Sequence, residues 1–474
     1  HTPMLLVTPQ AANKTMGQGG FQEVPQMALF QDMVCYQEEV RDPSRVAEVL
    51  NRVIEKAWRG CAPAQINVPR DYWTHVVDIE LPQIVRFERA SGGKEAIAQA
   101  AALLSEAKFP VIVNGAGVVT GGAIQDSIKL AERLDAAVCC GYQHNDAFPG
   151  SHYLSVGPLG YNGSKAAMEL ISKADVVLAL GTRLNPFSTL PGYGIDYWPK
   201  NAKIIQVDIN ADRIGLTKKV TVGICGDAKQ VAQQILSGLS PKAADAGRAD
   251  RKATIHQTKS AWLQKLSSMD HEDDDPGTTW NADARVRDKE HMSPRQAWRA
   301  IQAGLPANAT ISSDIGNNCA IGNAYPTFEE GRKYLAPGLF GPCGYGFPSI
   351  IGAKIGKPEV PVFGFAGDGA FGISINEMTS ICRDQWPAIT MVIFRNYQWG
   401  AEKRNSILWY DNNFVGTELD PKLSYAKIAE ACGFKGVTVR TQSETTAALK
   451  KAAEDQAKGV TTFVEVILNQ ELGE

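Results

Sequence analysis

Asp368 stands between two glycines, Gly367 and Gly369, at the end of an apolar run spanning 360–367. Asn396 ends the next apolar run, with 26 residues between it and Gly369. A carboxylate and a carboxamide oxygen are hard ligands suited to Mg2+, which takes few protein ligands and completes its shell with phosphate oxygens and water. Glycines on both sides of the acid let the backbone approach a diphosphate closely, and a helix starting there offers its first amides. A Gly-Asp-Gly tripeptide alone is more often a tight turn. What singles this one out is its place after a strand and its distance to an asparagine that ends the next strand. Two consecutive parallel strands would bring Asp368 and Asn396 to one sheet edge, and in open α/β sheets ligands bind at that carboxyl end.

The elements that must position these residues follow from alternating patterns. Strands are expected at 310–314, 360–367, 388–395 and 461–468, with helices at 293–303, 348–355, 375–385 and 424–432. Upstream, residues 95–238 repeat the alternation, with strands at 110–114, 136–140, 175–180 and 203–207 and helices at 95–107, 124–134 and 164–173. Continuous apolar strands between amphipathic helices argue for parallel sheets covered on both faces. Residues 1–88 hold strands at 3–7 and 63–69, a glycine-rich loop at 17–20 and helical segments at 24–30 and 43–58. The fold class expected is α/β, with three consecutive α/β domains: 1–88, 94–238 and 293–474. Between the last two, residues 239–292 are polar, with an acidic run at 272–275, and read as a solvated linker. Trp262 and Trp280 suggest that this linker packs onto the domains.

Composition narrows the function. The net charge is −3, with 44% hydrophobic and 21% charged residues. That balance gives no footprint for nucleic acid or an anionic membrane. No run of eighteen apolar residues suggests a span. The nine cysteines are scattered, with no CxxC, and are expected to be reduced, mostly buried thiols of a cytoplasmic enzyme. The sequence opens on His1, with the apolar run 4–7 directly after it, which is the pattern expected of a chain entering in mid-fold.

Gly367-Asp368-Gly369 with Asn396 at this spacing resembles the thiamine diphosphate motif of the pyruvate oxidase and acetolactate synthase superfamily. The resemblance implies Mg2+ held by Asp368, the Asn396 side chain and the main-chain carbonyl of Gln398. Where relatives usually end the motif with two asparagines, Arg395-Asn396 stands here. It also implies cofactor contacts from Gly367, Gly369, Ala370, Trp399 and Gly400. Asp314, Gly316, Asn317 and Asn318 look like the loop that meets the diphosphate. Cys343 and Gly344, in 341–348, look like the loop whose apolar side chain wedges the cofactor into its bent shape. A reactive thiol at Cys343 is disfavoured, because no His or Lys adjoins it. Gly115-Ala116-Gly117 lacks a third glycine at the right place, so no NAD site is expected, and nothing requires FAD.

Within the superfamily, the segments 8–14, 19–24, 338–344 and 396–405 are very similar to the sulfoacetaldehyde acetyltransferases of taurine and sulfonate degradation. That likeness implies conversion of sulfoacetaldehyde and phosphate to acetyl phosphate and sulfite by a homodimer or homotetramer. It makes 1–88 the second half of a pyrimidine-binding domain and 293–474 the diphosphate-binding domain. Lys403, Arg404 and Asn405 are candidate partners of the anionic substrates, as Arg suits a fork of oxygens and Lys a point charge, with Phe21 and Gln22 on the opposite wall. The family's catalytic glutamate has no counterpart in this sequence. Glu38 and Glu39 lie on the wrong side of the 17–20 loop to serve, so no catalytic residue is assigned and weak activity of the chain alone is expected. An acetolactate synthase-like carboligase and a catalytically dead cofactor-binding fragment are the competing expectations.

Overall fold

The computed structural model describes residues 2–83, 85, 88–269, 291–383 and 386–470. The chain divides into two compact units, 1–88 and 89–474. In the first, strands β1 (Met4–Gln10), β2 (Tyr36–Glu39) and β3 (Pro63–Pro69) form a parallel sheet in the order β1-β3-β2. The helix Val46–Gly60 is amphipathic, with Val49, Val53 and Ala57 at four-residue spacing on its buried face. They close a small core with Val40, Ala64 and Ile66. Cys61 stops the helix in the left-handed conformation, φ 47°. Strand β2 is short, polar and half-buried, so no apolar alternation announced it.

The second unit holds two six-stranded sheets, and every strand pair in them is parallel. The central sheet comprises β4 (Pro110–Asn114), β5 (Ala137–Cys140), β6 (Ser155–Pro158), β7 (Val176–Leu180), β8 (Lys203–Asp208) and β9 (Val222–Cys225), in the order β6-β5-β4-β7-β8-β9. Strands β4, β5 and β7 are buried at every residue, as strands covered on both faces must be. The segment expected to be a linker contains a 21-residue helix, Arg248–Ser268, anchored by Arg251, Ile255, Trp262 and Leu266. Its polar sequence hid it, because one anchor is an arginine. The buried Arg251 guanidinium donates to the carbonyls of Lys108, Leu134, Asp135 and Ala244, at 2.6–3.1 Å. The acidic run 272–275 and Trp280 lie outside the described residues.

The C-terminal sheet comprises β10 (Thr310–Ser313), β11 (Tyr334–Leu335), β12 (Val362–Gly367), β13 (Thr390–Arg395), β14 (Lys435–Val439) and β15 (Thr462–Ile467), in the order β11-β10-β12-β13-β15-β14. Its strands alternate faces. Phe363, Phe365, Val392 and Phe394 enter one core with Trp298, while Val362, Ala366, Met391 and Ile393 enter the other with Phe347 and Phe371. Of the helix expected at 375–385 only Glu377–Ile381 forms, and a separate helix, Asp368–Ser374, precedes it. That preceding helix begins at Asp368 itself, so the motif forms the helix start without an intervening loop; Asp384 and Gln385 lie outside the described residues. Of the nine cysteines, all free, only Cys139, Cys140 and Cys319 are buried, so the expectation of mostly buried thiols does not hold. Among the described residues no helix is long and apolar enough to cross a membrane.

Candidate cofactor and metal site

Strands β12 and β13 are adjacent and parallel, with Gly367 opposite Phe394. Their ends therefore deliver Asp368 and Asn396 side by side, and β10, on the other side of β12, adds Ile315 to Asn318. An open-sided cavity lies over these ends. Its lining includes Gly316, Asn317, Asn318, Cys343, Gly367, Asp368, Gly369 and Ala370, and further on Asn396, Gln398, Trp399 and Gly400. The cavity sits where the strand order reverses, between β10 and β12, as expected for ligand sites in open α/β sheets.

The Asp368 carboxylate is buried and ordered on both oxygens. Oδ1 accepts from the Gly369 amide at 3.0 Å, and Oδ2 accepts from the Tyr397 amide at 2.8 Å and from Arg395 Nη1 at 2.9 Å. Tyr397 reaches that position in a left-handed conformation, φ 60°, between the two residues expected to bind metal. Its loop is pinned on the far side, where Trp399 N donates to Thr417 O and Leu419 N to Tyr397 O, each at 2.8 Å. Tyr425 Oη donates to the Asp368 carbonyl at 2.8 Å. Burial pushes the Asp368 carboxyl up from its ordinary range, and Arg395 opposes this.

Asp314 works differently from its neighbours. Its carboxylate accepts from the amides of Ile315, Gly344 and Gly346 at 2.7–3.0 Å, so it holds the Cys343 loop in place and does not itself line the cavity. Gly344, at φ 86°, has no room for a side chain, because a Cβ there would lie 2.9 Å from Ile373. Burial, with Asp314 and Glu402 nearby, pushes the Cys343 thiol up, the opposite of what a thiolate nucleophile needs.

Residues 97–235 match the family described as "Thiamine pyrophosphate enzyme, central domain", and residues 314–466 match "Thiamine pyrophosphate enzyme, C-terminal TPP binding domain". Over all 474 residues the chain is 82% identical to a probable sulfoacetaldehyde acetyltransferase of Rhizobium meliloti (strain 1021), covering 80% of it. It is 75% identical over 474 residues to a sulfoacetaldehyde acetyltransferase of Roseovarius nubinhibens, covering 79% of that protein. The chain belongs to this family of thiamine diphosphate enzymes. The acetolactate synthases stand further off. Isozyme 3 of Escherichia coli K12 is 24% identical over 480 residues, which span 98% of this chain and 79% of that large subunit.

The donor set suits the family's cofactor and its metal. Asp368, Asn396 and Gln398 present hard oxygens at one cavity, and no cluster of three His, Cys, Asp or Glu competes for an ion among the described residues. Two buried polar atoms of the lining, Asn317 Nδ2 and Gln398 Oε1, have no hydrogen-bond partner in the structure, as expected where a polar ligand completes the site. Gly369 leaves room that a side chain would take, since its Cβ would lie 2.8 Å from the Trp399 ring.

The substrate candidates scatter more. Lys403 is buried and ion-paired with Glu418, and Arg404 lays its guanidinium 4.9 Å from the Tyr161 ring centre. Neither they nor Asn405 are among the lining residues, although Gly400 to Glu402, on the same helix, are. Phe21 (79% exposed) and Gln22 (φ 62°) belong to the first unit. In that unit Glu38 is ion-paired with Arg52 at 2.9 Å and Glu39 accepts from Asn67 at 2.7 Å, so both carboxylates are engaged locally. Sequence reasoning noted Arg395 only as a departure from the usual motif, and passed over its role and those of Tyr397, Tyr425 and Glu465. The charge of Arg395 inside an apolar strand was the signal that could have marked it as more than a departure.

Proposed function

We propose that this chain catalyses the Mg2+- and thiamine diphosphate-dependent conversion of sulfoacetaldehyde and phosphate to acetyl phosphate and sulfite. The observation that carries the reading is the likeness to sulfoacetaldehyde acetyltransferases over the whole chain, joined to a cavity that gathers Asp368, Asn396 and Gln398 at adjacent strand ends. When bound, the cofactor would supply a nucleophilic carbon for the aldehyde carbon and hold the electron pair that lets sulfite leave from the neighbouring carbon of the substrate. Asp368, the Asn396 side chain and the Gln398 main-chain carbonyl hold the metal. The amides of Ala370 and Gly400 receive the diphosphate, Gly367 and Gly369 let it approach the backbone, and Gly316, Asn317 and Asn318 stand across the cavity with Trp399 beside them. Cys343 serves as a neutral, compact prop for the cofactor, held at its height by Asp314 through Gly344 and Gly346.

Sulfonate and phosphate each present oxygen forks that guanidinium and amide donors match. Lys403, Arg404 and Asn405, on the helix that starts at the cavity, are the donors proposed for them, and Phe21 and Gln22, in the first unit, are proposed substrate residues. A cytoplasmic homodimer or homotetramer is part of the proposal on family likeness alone. The test is sulfite release from sulfoacetaldehyde by the protein purified in full length, with and without phosphate. Phosphate-dependent sulfite release supports the reading. Pyruvate consumption without sulfite release would replace it with a carboligase.

A further inference from the structure

Arg395 is fully buried at the end of β13, and its guanidinium is divided among several partners. Nη1 holds Asp368 Oδ2 at 2.9 Å, while Nη2 donates to the carbonyls of Asp420 and Leu423 at 2.6 and 3.0 Å. Nε lies 3.6 Å from Glu465 Oε1, and the cation sits 4.4 and 5.2 Å from the ring centres of Tyr397 and Tyr425. Glu465 is engaged elsewhere, accepting from Ser424 Oγ at 2.8 Å and from the amides of Tyr425 and Ala426 at 3.2 and 3.3 Å. Its charge is therefore partly met by the helix start at Tyr425. Asp368 Oδ2 thus has two donors and Oδ1 one, the Gly369 amide. Asp368 therefore faces the Arg395 guanidinium directly, at 2.9 Å.

We propose that Arg395 is a positioning residue that acts as a resident cation at the metal site. It assigns Oδ2 of Asp368 to the protein and leaves Oδ1 to the metal. It also cancels most of the charge a divalent ion would meet, so the ion is held firmly only when the cofactor's diphosphate arrives with it. The inference rests on the reading of Asp368 as a metal ligand. Two charges a few ångströms apart interact strongly in a buried site, so the guanidinium must weaken binding of a bare divalent cation. Metal and cofactor would then bind as a unit, and the metal would not occupy the site alone at low concentration.

The experiment measures Mn2+ affinity by electron paramagnetic resonance, with and without thiamine diphosphate, on the full-length protein. In the native protein the two ligands should strengthen each other at least about tenfold, and independent binding would overturn the proposal. Arg395→Met should bind bare Mn2+ at least about tenfold more tightly and lose most of the coupling, whereas Arg395→Lys should stay near native. An arginine with only a structural role predicts the opposite sign, because a damaged site binds the bare ion more weakly. Bare-ion affinity in folded Arg395→Met equal to or below native therefore overturns the idea. Should Arg395→Met fail to fold, Glu465→Gln leaves the guanidinium less neutralised and should weaken bare Mn2+ about threefold; no change, or tighter binding, counts against it. Asp368→Asn separates the two readings. If it keeps Mn2+, the metal placement itself fails. If it loses Mn2+ while the Arg395 variants behave as native, only the role of Arg395 fails.

Discussion

The central and C-terminal sheets share an architecture and differ most at one place. Each has six parallel strands, and each has a point where the strand order turns back, at β4/β7 and at β10/β12; the C-terminal sheet turns a second time at its edge, where β14 lies outside β15. Over β10 and β12 the strand ends open into the cavity that holds Asp368. Over β4 and β7 the two loops touch. Gly115 N donates to Leu180 O at 3.1 Å and Gly117 N to Gly181 O at 2.9 Å. A Cβ on Gly181 would lie 2.7 Å from Gly117 Cα. In the central sheet glycines let backbone meet backbone, while in the C-terminal sheet they leave space beside a carboxylate. The same residue type at equivalent positions thus closes one crevice and shapes another, and only the partner across the gap tells them apart.

The comparison breaks most visibly at Gly181. It combines φ 60° with backbone contacts at 2.7–2.8 Å, so Gly181→Ala should cost about 3 kcal/mol or more. Denaturant unfolding would register the loss, with cofactor affinity of the folded protein unchanged. A second test on the central side uses His144, whose imidazole burial, helped by Arg183, pushes down to about 4. The native state keeps it neutral, whereas the unfolded chain protonates it near its ordinary value. Its stabilisation is therefore complete above about pH 6.5 and falls as the pH drops toward 4, by about 3 kcal/mol at most. Unfolding free energies at pH 7 and pH 5 should show that slope, and His144→Asn should flatten it. The smallest effect sharpens the contrast from the C-terminal side. Gly369→Ala puts a methyl against the Trp399 ring, which lines the cavity, so thiamine diphosphate should bind about tenfold more weakly, some 1.4 kcal/mol. The unfolding free energy should fall by less than in Gly181→Ala, because the methyl meets a side-chain ring and not backbone, and alanine suits the helix that starts there. If Gly369→Ala lost stability as Gly181→Ala does, the two crevices would not differ as described.

Much of the fold was legible because the C-terminal sheet and most of the central one are written in runs of apolar residues bounded by turns. The expected strands at 63–69 and 110–114 coincide with β3 and β10's counterpart in the central sheet, β4, at both ends. Elements with mixed or polar composition escaped: β2, the edge strands β9 and β14, and the helix Arg248–Ser268. In the site, the placement of Asp368 and Asn396 followed from two strand ends and a spacing. The division of labour around them did not. Asp314 holds the Cys343 loop through contacts 30 and 32 residues away, and Lys403 turns to Glu418, 15 residues on.

By itself the sequence determined the α/β class, the strand ends that carry Asp368 and Asn396, and the family, because these depend on residue type and spacing along the chain. The tertiary structure alone decided which oxygen of Asp368 answers to Arg395, which crevice closes and which opens, and where the cations of the helix Gly400–Trp409 point. Those outcomes depend on distances between segments remote in sequence. A hydrogen bond or a backbone contact is made or lost within an ångström, and no local pattern records that distance.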